Sequence, residues 1–194
     1  LFRILVSGRY NSAIAATLGN AAIAFVWAVT AGILIALLVH RRKLAREALE
    51  PLFATYYAIP VLAFYPLLIV LFGVGDAPKI IIAFMLGVIA VITNTLHGLD
   101  RVPPVLVKTA RVIQMSPWET AFTVTLPYAM PYMLTGVKFA VAYALIGIIG
   151  SEFIMSTDGL GFEIAFAYNN FDNATMYPLI ALVLIVSITA NMLL

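Results

Sequence analysis

The 194-residue sequence contains no cysteine, which excludes disulfide scaffolds, thiolate metal sites and cysteine nucleophiles. Charged residues are scarce, since Asp, Glu, Lys and Arg make up 10% of the chain and leave a net charge of +2. No stretch is basic enough to indicate nucleic-acid binding. A phosphate-cradling Gly-x-x-x-x-Gly-Lys-Ser/Thr sequence is also missing, so the chain itself is not predicted to bind ATP.

Apolar residues make up 63% of the chain and its mean hydropathy is +1.06, whereas soluble domains are nearer ~45–50% apolar. A helix that crosses a bilayer needs roughly 20 mainly apolar residues. Pro60 and Pro66 each remove a backbone donor inside the second apolar segment, so that helix is expected to kink. The sequence predicts an all-α, polytopic membrane helix bundle with five transmembrane helices. The predicted spans are 21–39, with a start as early as Ser12, then 52–72, 79–96, 132–150 and 176–194.

The whole chain, 1–194, is interpreted as one transmembrane domain with a polar loop at 97–131. Residue 1 is Leu, and the last apolar segment ends at Leu194 without a flanking anchor. We therefore expect a fragment that lacks an N-terminal span and a C-terminal tail.

Basic residues are confined to alternate loops, which predicts the orientation in the membrane. The loops after the first and third spans carry Arg41, Arg42, Lys43 and Arg46, and Arg101, Lys108 and Arg111. The other loops carry only the acids Asp76, Glu152, Asp158, Glu163 and Asp172. The basic loops are therefore expected in the cytoplasm, with residue 1 outside. The first basic loop is interpreted as a topology anchor, or else as a lipid-headgroup contact or a contact with a partner subunit. Lys138 is expected to snorkel toward the cytoplasmic face.

The central loop starts with a predicted amphipathic helix at 104–115. Pro103 and Pro104 suit a helix start, where a missing N–H does no harm. Leu106, Ala110 and Ile113 recur on one helical face, away from Lys108 and Arg111. This pattern indicates a helix that lies along the cytoplasmic membrane surface.

A second helix start follows at Ser116-Pro117-Trp118-Glu119, which has the pattern of a capping box. This helix is expected to stop near Thr125, because Pro127 disfavours helical geometry at Leu126. The loop is interpreted as a rigid elbow that a partner subunit can push. The alternative is a pair of interfacial helices that merely connects two spans.

The same loop carries the spaced pattern Lys108-Thr109-Ala110, Gln114 and Val124-Thr125-Leu126-Pro127, with Ser116 also in register. The pattern resembles the cytoplasmic loop of binding-protein-dependent ABC importer permeases, which reads Glu-Ala-Ala, three residues, Gly, nine residues, Ile-x-Leu-Pro. Lys108 stands where the family usually has Glu, and Gln114 where it usually has Gly. The resemblance implies that Lys108, Thr109, Ala110, Gln114, Ser116, Leu126 and Pro127 form a loop that docks on an ATPase subunit.

Further residues place the resemblance in the nitrate/sulfonate/taurine branch and extend it over nearly the whole chain. They are Pro131-Tyr132, Thr135-Gly136, Glu152-Phe153 and Gly159-Leu160-Gly161. The resemblance implies a non-enzymatic permease subunit of an ATP-driven importer in the bacterial plasma (inner) membrane. Its implied partners are an ABC ATPase that holds the ATP, a substrate-binding protein, a second permease copy and membrane lipid, with no nucleic acid, cofactor or metal. The solute is left open among nitrate, taurine, a sulfonate and similar small molecules such as a vitamin precursor.

The loop 151–175 is too polar to span the membrane and too apolar to be free. Its aromatic residues indicate a short helix tucked into the outer mouth of the bundle, after a turn supplied by Asp158, Gly159 and Gly161. Glu152 lies at the outer end of the fourth span, where a carboxylate is costly unless paired or hydrated. Glu152, Gly159, Gly161 and Phe162 are candidates for an outer gate or for a contact with the substrate-delivering protein. The alternative is a carboxylate at the membrane interface, hydrated by water.

Two other function classes were weighed against the importer. A secondary transporter or channel subunit usually places ionisable residues near the middle of its spans, and here only Lys138 approaches that position. A membrane enzyme would have to use His40, His97, Ser151 and the carboxylates, but no catalytic sequence pattern connects them.

Overall fold

A computed structural model describes residues 8–193, and every regular element in that range is helical. The expected position of residue 1 lies outside the described residues. A 3₁₀ turn, Val61–Phe64, precedes the helix that begins at Tyr65, and a π-helical turn, Ala121–Thr125, joins the helix Pro117–Thr120 to the helix Leu126–Met155. The predicted all-α bundle is confirmed. The helices are α1 Asn11–His40, α2 Lys43–Tyr56, α3 Tyr65–Phe72, α4 Asp76–Asp100, α5 Pro104–Val112, α6 Pro117–Thr120, α7 Leu126–Met155, α8 Leu160–Asn169 and α9 Asn173–Met192.

Four helical segments of the described chain are long and apolar enough to cross a membrane. They are α1, α4, the continuous segment Pro117–Met155 and α9. These helices correspond to the first, third, fourth and fifth predicted spans, with wider bounds. The first begins at Asn11, next to the earliest expected start.

The second predicted span is a broken helix rather than one kinked helix. α2 ends at Tyr56, and the N–H groups of Ala58 and Ile59 close its last turn on the carbonyls of Thr55 and Tyr56, both at 3.0 Å. Pro60 then stops the helix, because a residue before proline is pushed out of helical geometry. Only the short apolar segment Val61–Phe72 follows. Two short helical pieces therefore replace a continuous crossing.

Close packing of α4 against α7 forms the centre of the bundle, and α1 packs against both of these helices. Small residues make the α4–α7 contact possible, since a Cβ added to Gly147 would lie 2.5 Å from the Cα of Ala83. At Gly98, an added Cβ would lie 2.9 Å from the carbonyl oxygen of Ala129. Small residues let helix backbones approach closely in membranes, where dispersion contacts drive association. The α4–α7 pair is therefore held by backbone proximity.

Contacts with the Asp100 carboxylate connect the start of α2 and the end of α1 to the end of α4. Arg46 of α2 donates from Nη1 to Oδ1 of Asp100 at 3.0 Å, and its other terminal nitrogen pairs with the second carboxylate oxygen. His40 Nδ1 lies 3.5 Å from the same carboxylate. The ends of α1, α2 and α4 are thus fixed beside one another.

Gly147→Leu should separate α4 from α7. The new side chain would meet the α4 backbone at Ala83, which cannot rotate away, so a loss at or above the usual ~1–3 kcal/mol of overpacking is expected. Ile146→Leu is the matched control, because Ile146 is 54% exposed on the same helix. Thermal unfolding of the purified protein in detergent measures both changes. An unchanged melting temperature for Gly147→Leu would contradict the packing described here.

Candidate functional site

We call residues 104–125 the elbow. It begins with α5, and α5 ends in a defined turn. The helix stops at Val112, three residues before the predicted end at Met115. Gln114 donates its N–H to the carbonyl of Arg111 at 3.0 Å, and Met115 donates to Ala110 at 2.9 Å. These two bonds form a Schellman motif, which satisfies the last carbonyls of a helix. The corner after α5 is therefore built by backbone hydrogen bonds.

Gln114 supplies the left-handed residue that this motif requires, with φ of 60°. Glycine is the usual residue at that position, since a side chain makes left-handed backbone costly. Gln114 thus adopts the turn geometry expected of the glycine that importer permeases usually have at this position. Its side chain is exposed, so solvent accommodates it.

The predicted capping box is present at the start of α6. Ser116 donates its N–H to Oε2 of Glu119 at 2.7 Å, and Ser116 Oγ accepts from the Glu119 N–H at 3.2 Å. The two residues thereby satisfy backbone donors reciprocally and fix the direction of α6.

The expectation that this second helix stops near Thr125 is wrong. The helical segment runs without interruption from Pro117 to Met155. Its π-helical turn lets Leu126 donate to the carbonyl of Ala121, five residues earlier. The wider turn accommodates the missing N–H of Pro127, which lies in the first turn of α7. The elbow and the membrane helix are therefore one continuous body.

The other predicted elbow residues divide between the inside and the outside of the corner. Ala110 is the buried residue of α5, 2% exposed, and its burial comes from this chain alone. α5 contacts the π-helical turn. Lys108 and Thr109 point outward, between Val105 and Val112, which are 63% and 79% exposed. The outward face, defined here as Val105, Lys108, Thr109 and Val112, is thus apolar with one cation.

A polar cluster lies at the opposite end of α7, around Glu152. This carboxylate is 1% exposed, so it is buried rather than hydrated at the membrane interface. The hydroxyl of Thr17 lies 2.9 and 2.8 Å from the two carboxylate oxygens, and the Gly161 N–H donates to Oε2 at 3.0 Å. Thr17 also accepts the N–H of Leu160 at 2.8 Å. Glu152 therefore joins α1, α7 and α8.

Two of the candidate gate residues are glycines that the carboxylate requires. A Cβ on Gly159, where φ is 96°, would overlap the Glu152 carboxylate, and a Cβ on Gly161 would overlap the carbonyl of Ile149. Phe162 is half-buried, and its ring lies 6.2 Å from that of Phe166. The structure thus brings Glu152, Gly159 and Gly161 together, while Phe162 packs against Phe166, one turn further along α8.

Sequence reasoning missed Lys79, which it treated as the first residue of a span. Lys79 is 1% exposed, and its Nζ donates to Asp76 at 2.8 Å and to Asp158 at 2.7 Å. Asn20 donates to the same Asp76 oxygen at 2.7 Å. A lysine between two acids of different loops could have signalled this pairing. We call Thr17, Asn20, Asp76, Lys79, Glu152 and Asp158 the distal cluster.

In the distal cluster, buried Lys79 is paired with Asp76 and Asp158, whereas buried Glu152 is hydrogen-bonded to Thr17 and Gly161. Removing the partners of a buried charge leaves it uncompensated. Beyond the cluster, Asp172 caps α9 by accepting the Thr175 N–H at 3.1 Å. Hydrogen bonding from the side chain and then the backbone of Thr175 holds the pKa of Asp172 below its usual value. The cluster can hold the ends of α1, α4, α7 and α8 together, and it can release them only by breaking several charged contacts at once.

Gly159→Ala should destabilise the distal cluster more than a backbone effect alone can explain. The methyl group combines left-handed strain of ~1–2 kcal/mol with a clash against Glu152 that adds ~1–3 kcal/mol. Gly73→Ala is the matched control, because Gly73 also has positive φ, 79°, but an added Cβ would meet nothing within 4 Å. Equilibrium unfolding in mixed detergent should give the larger loss for Gly159→Ala. Equal losses would argue against the glycine–carboxylate contact.

Gln114→Gly should stabilise the elbow by about 1 kcal/mol, because glycine adopts the left-handed conformation without steric cost. Hydrogen exchange of the amides in 104–115 should slow about fivefold, which corresponds to that energy. Gln114→Val is the opposing control and should speed exchange, since a β-branched residue is an outlier at positive φ. Exchange that is faster in Gln114→Gly would disprove the role of this residue.

The sequence of this chain is similar to known membrane transport proteins. Residues 28–194 match the family described as "Binding-protein-dependent transport system inner membrane component". The chain is 31% identical to the nitrate import permease protein NrtB of Leptolyngbya laminosa over 93% of its own length and 64% of the relative's. It is 31% identical to the bicarbonate transport system permease protein CmpB of Synechocystis sp., over 79% of its length and 55% of the relative's. It is 30% identical to the riboflavin transport system permease protein RibX of Chloroflexus aurantiacus, over 76% and 55%.

The chain spans less than two thirds of the length of these curated relatives. The family match begins within α1 and covers the rest of the chain, including the elbow and the distal cluster except its Thr17 and Asn20. The predicted resemblance is confirmed. This chain belongs to the family of binding-protein-dependent transport system inner membrane components and is a multi-pass protein of the inner membrane.

Proposed function

We propose that this chain is the translocating part of an ATP-driven importer, which receives a small solute from a separate binding protein and is moved by a separate ATPase subunit. The continuity of the elbow with α7 is the observation that carries the proposal. The names of the relatives, which are nitrate, bicarbonate and riboflavin permeases, support a small polar solute. The proposed assembly contains two copies of the permease and two ATPase subunits.

The segment Pro117–Met155 connects the two ends of the molecule mechanically. It has 39 residues, which at the usual rise corresponds to about 58 Å. Its first residues, 117–125, belong to the elbow, and its last turns carry Glu152. A displacement of the elbow therefore moves the distal carboxylate, because a packed helix shifts as a unit. ATP-driven motion on one side would in this way open or close contacts on the other.

The outward face of α5 is the proposed ATPase contact. Val105 and Val112 expose apolar surface on the side predicted to be cytoplasmic, where water makes such exposure unfavourable. Lys108 lies between them and adds a charge that a partner can recognise. Gln114 and Ser116 shape the corner, while Leu126 and Pro127 lie in the helix that transmits the motion. Ala110 holds the corner to its own chain, so it does not meet the partner directly.

A second copy of the chain is proposed because the described bundle has no room for a solute at its centre. α4 and α7 touch through their backbones at Gly147, and α1 joins them at Gly87, where an added Cβ would lie 3.1 Å from the Cβ of Ala28 and 3.6 Å from the carbonyl oxygen of Ala140. A path for solute must then run along the surface of the bundle. Lys138 lies on the exposed side of α7, between buried Gly136 and Ala140, and is available to such a path.

A secondary transporter or channel is the other candidate function, and the buried charges favour the importer over it. Among the lysines, arginines, histidines and acids whose burial the structure describes, the buried ones are Lys79 and Glu152. Both lie near the end of the bundle opposite the elbow rather than at the middle of a span. An ion-coupled transporter usually places such groups at the midplane.

Val112→Arg should release the ATPase and abolish uptake. Val112 is 79% exposed in this chain, so the arginine fits the folded permease but would add volume and an unpaired charge to a packed interface. The test uses the full-length tagged permease, with ATPase co-purification and uptake of nitrate and bicarbonate as measurements. Leu44→Arg is the control, since Leu44 is 83% exposed on α2 and does not belong to the outward face of α5.

Ala110→Arg should also abolish uptake, but by opening the corner, which hydrogen exchange of 104–115 would detect. Wild-type co-purification and uptake in Val112→Arg would show that the outward face is not the ATPase contact. Uptake by the wild-type permease without any ATPase would overturn the proposed function itself.

A further inference from the structure

A cleft of about 480 Å³ lies beside the elbow, between the loop after α1 and the start of α6. Arg41 enters it from the loop, Arg111 from α5, and Trp118 from α6. The hydroxyl residues Thr120 and Thr125 also line it. These residues come from three separate segments, so the cleft exists only in the folded protein. We call it the arginine cleft.

The charge of the arginine cleft is unbalanced. Two guanidinium groups line it, and no acidic side chain does so within the part of the chain that the structure describes. Arg41 is held with its guanidinium carbon 5.8 Å from the centre of the Trp118 ring, a cation–π arrangement that positions it without neutralising it. An anion between the two arginines would relieve their mutual repulsion.

The donors favour a phosphate group over a simple anion. Guanidinium groups bind phosphate oxygens in a bidentate, charge-assisted manner. The Thr125 hydroxyl can supply a further donor, whereas the Thr120 hydroxyl donates to the carbonyl of Ser116 at 3.0 Å. The volume exceeds that of a single inorganic anion and leaves room for an attached organic group. The indole of Trp118 offers an apolar wall to that group.

The cleft lies at the level of the membrane surface. Arg41 directly follows α1, whose last residue is His40. Trp118 and Phe122 stack at 6.2 Å between ring centres, and both are more than 60% exposed. Exposed aromatic residues at the end of a span are typical of the interfacial belt, and the cytoplasmic leaflet carries anionic lipids.

We propose that the arginine cleft binds a phosphate group, presented either by an anionic phospholipid or by a soluble phosphate ester. The bound phosphate would join the loop after α1 to the elbow through Arg41 and Arg111. The elbow would then move against a fixed point on α1, so occupancy would regulate its motion. The binding itself does not depend on the proposed ATPase contact, because the arginine cleft is separate from the outward face of α5.

The test measures both sources of phosphate on the full-length permease purified in neutral detergent. In one arm, mass spectrometry quantifies phosphatidylglycerol and phosphatidylcholine retained after washing. In the other, glycerol phosphate and inorganic phosphate are titrated while the fluorescence of Trp118 is followed. The protein used in this arm has all tryptophans except Trp118 replaced by Phe. The variants are Arg41→Gln and Arg111→Gln, and Arg42→Gln is the matched control, an exposed arginine in the same loop that does not line the cleft.

Each cleft variant should weaken binding about tenfold, the loss expected for one charge-assisted contact, while Arg42→Gln binds as wild type. Selective retention of phosphatidylglycerol identifies a lipid site, and saturable binding of glycerol phosphate identifies a soluble ester; either supports the proposal. Size-exclusion elution and thermal unfolding verify that the variants are folded. The proposal is overturned if wild type binds neither probe selectively, or if Arg41→Gln and Arg111→Gln bind like Arg42→Gln.

Discussion

Where α7 crosses α4, the two backbones leave no room for a side chain at Gly147, and a Cβ there would lie 2.5 Å from the Cα of Ala83. Inside a membrane no hydrophobic effect drives helices together, so this proximity and the dispersion contacts that it allows hold the pair. The remaining elements depend on it. α1 covers α4, α8 caps the far end of α7, and the elbow extends from its near end.

The two ends of α7 have different chemistry because they have different tasks in the proposed importer. At the elbow, backbone bonds around Gln114 and the capping box of Ser116 and Glu119 make a stiff corner with an exposed apolar face. At the distal cluster, Lys79 and Glu152 are buried among partners from several helices. A stiff surface suits the reception of a push. A set of buried charged contacts suits a joint that is either fully made or fully broken.

Four of the five predicted spans, the amphipathic α5, the capping box and the family resemblance could be predicted from the sequence. Each rests on local rules: apolar length, helical periodicity, and the short-range pairing of Ser116 with Glu119. Local rules failed where two of them competed. Pro127 was expected to end the helix at Thr125, but a π-helical turn accommodates the proline and the helix continues. Pro60 was expected to kink a span, and it broke that span instead.

The sequence by itself determined that this chain is a multi-pass helical membrane protein and which loop forms the elbow, because hydrophobic length and turn chemistry are properties of contiguous residues. Only the tertiary structure decided which side chains meet. Thr17 and Glu152 form a hydrogen bond although they are 135 residues apart in the sequence. Lys79 and Asp158 pair across 79 residues, and Arg41 reaches Trp118 from another segment. Such contacts depend on how helices cross, and the crossing is fixed by small residues whose partners no local pattern identifies.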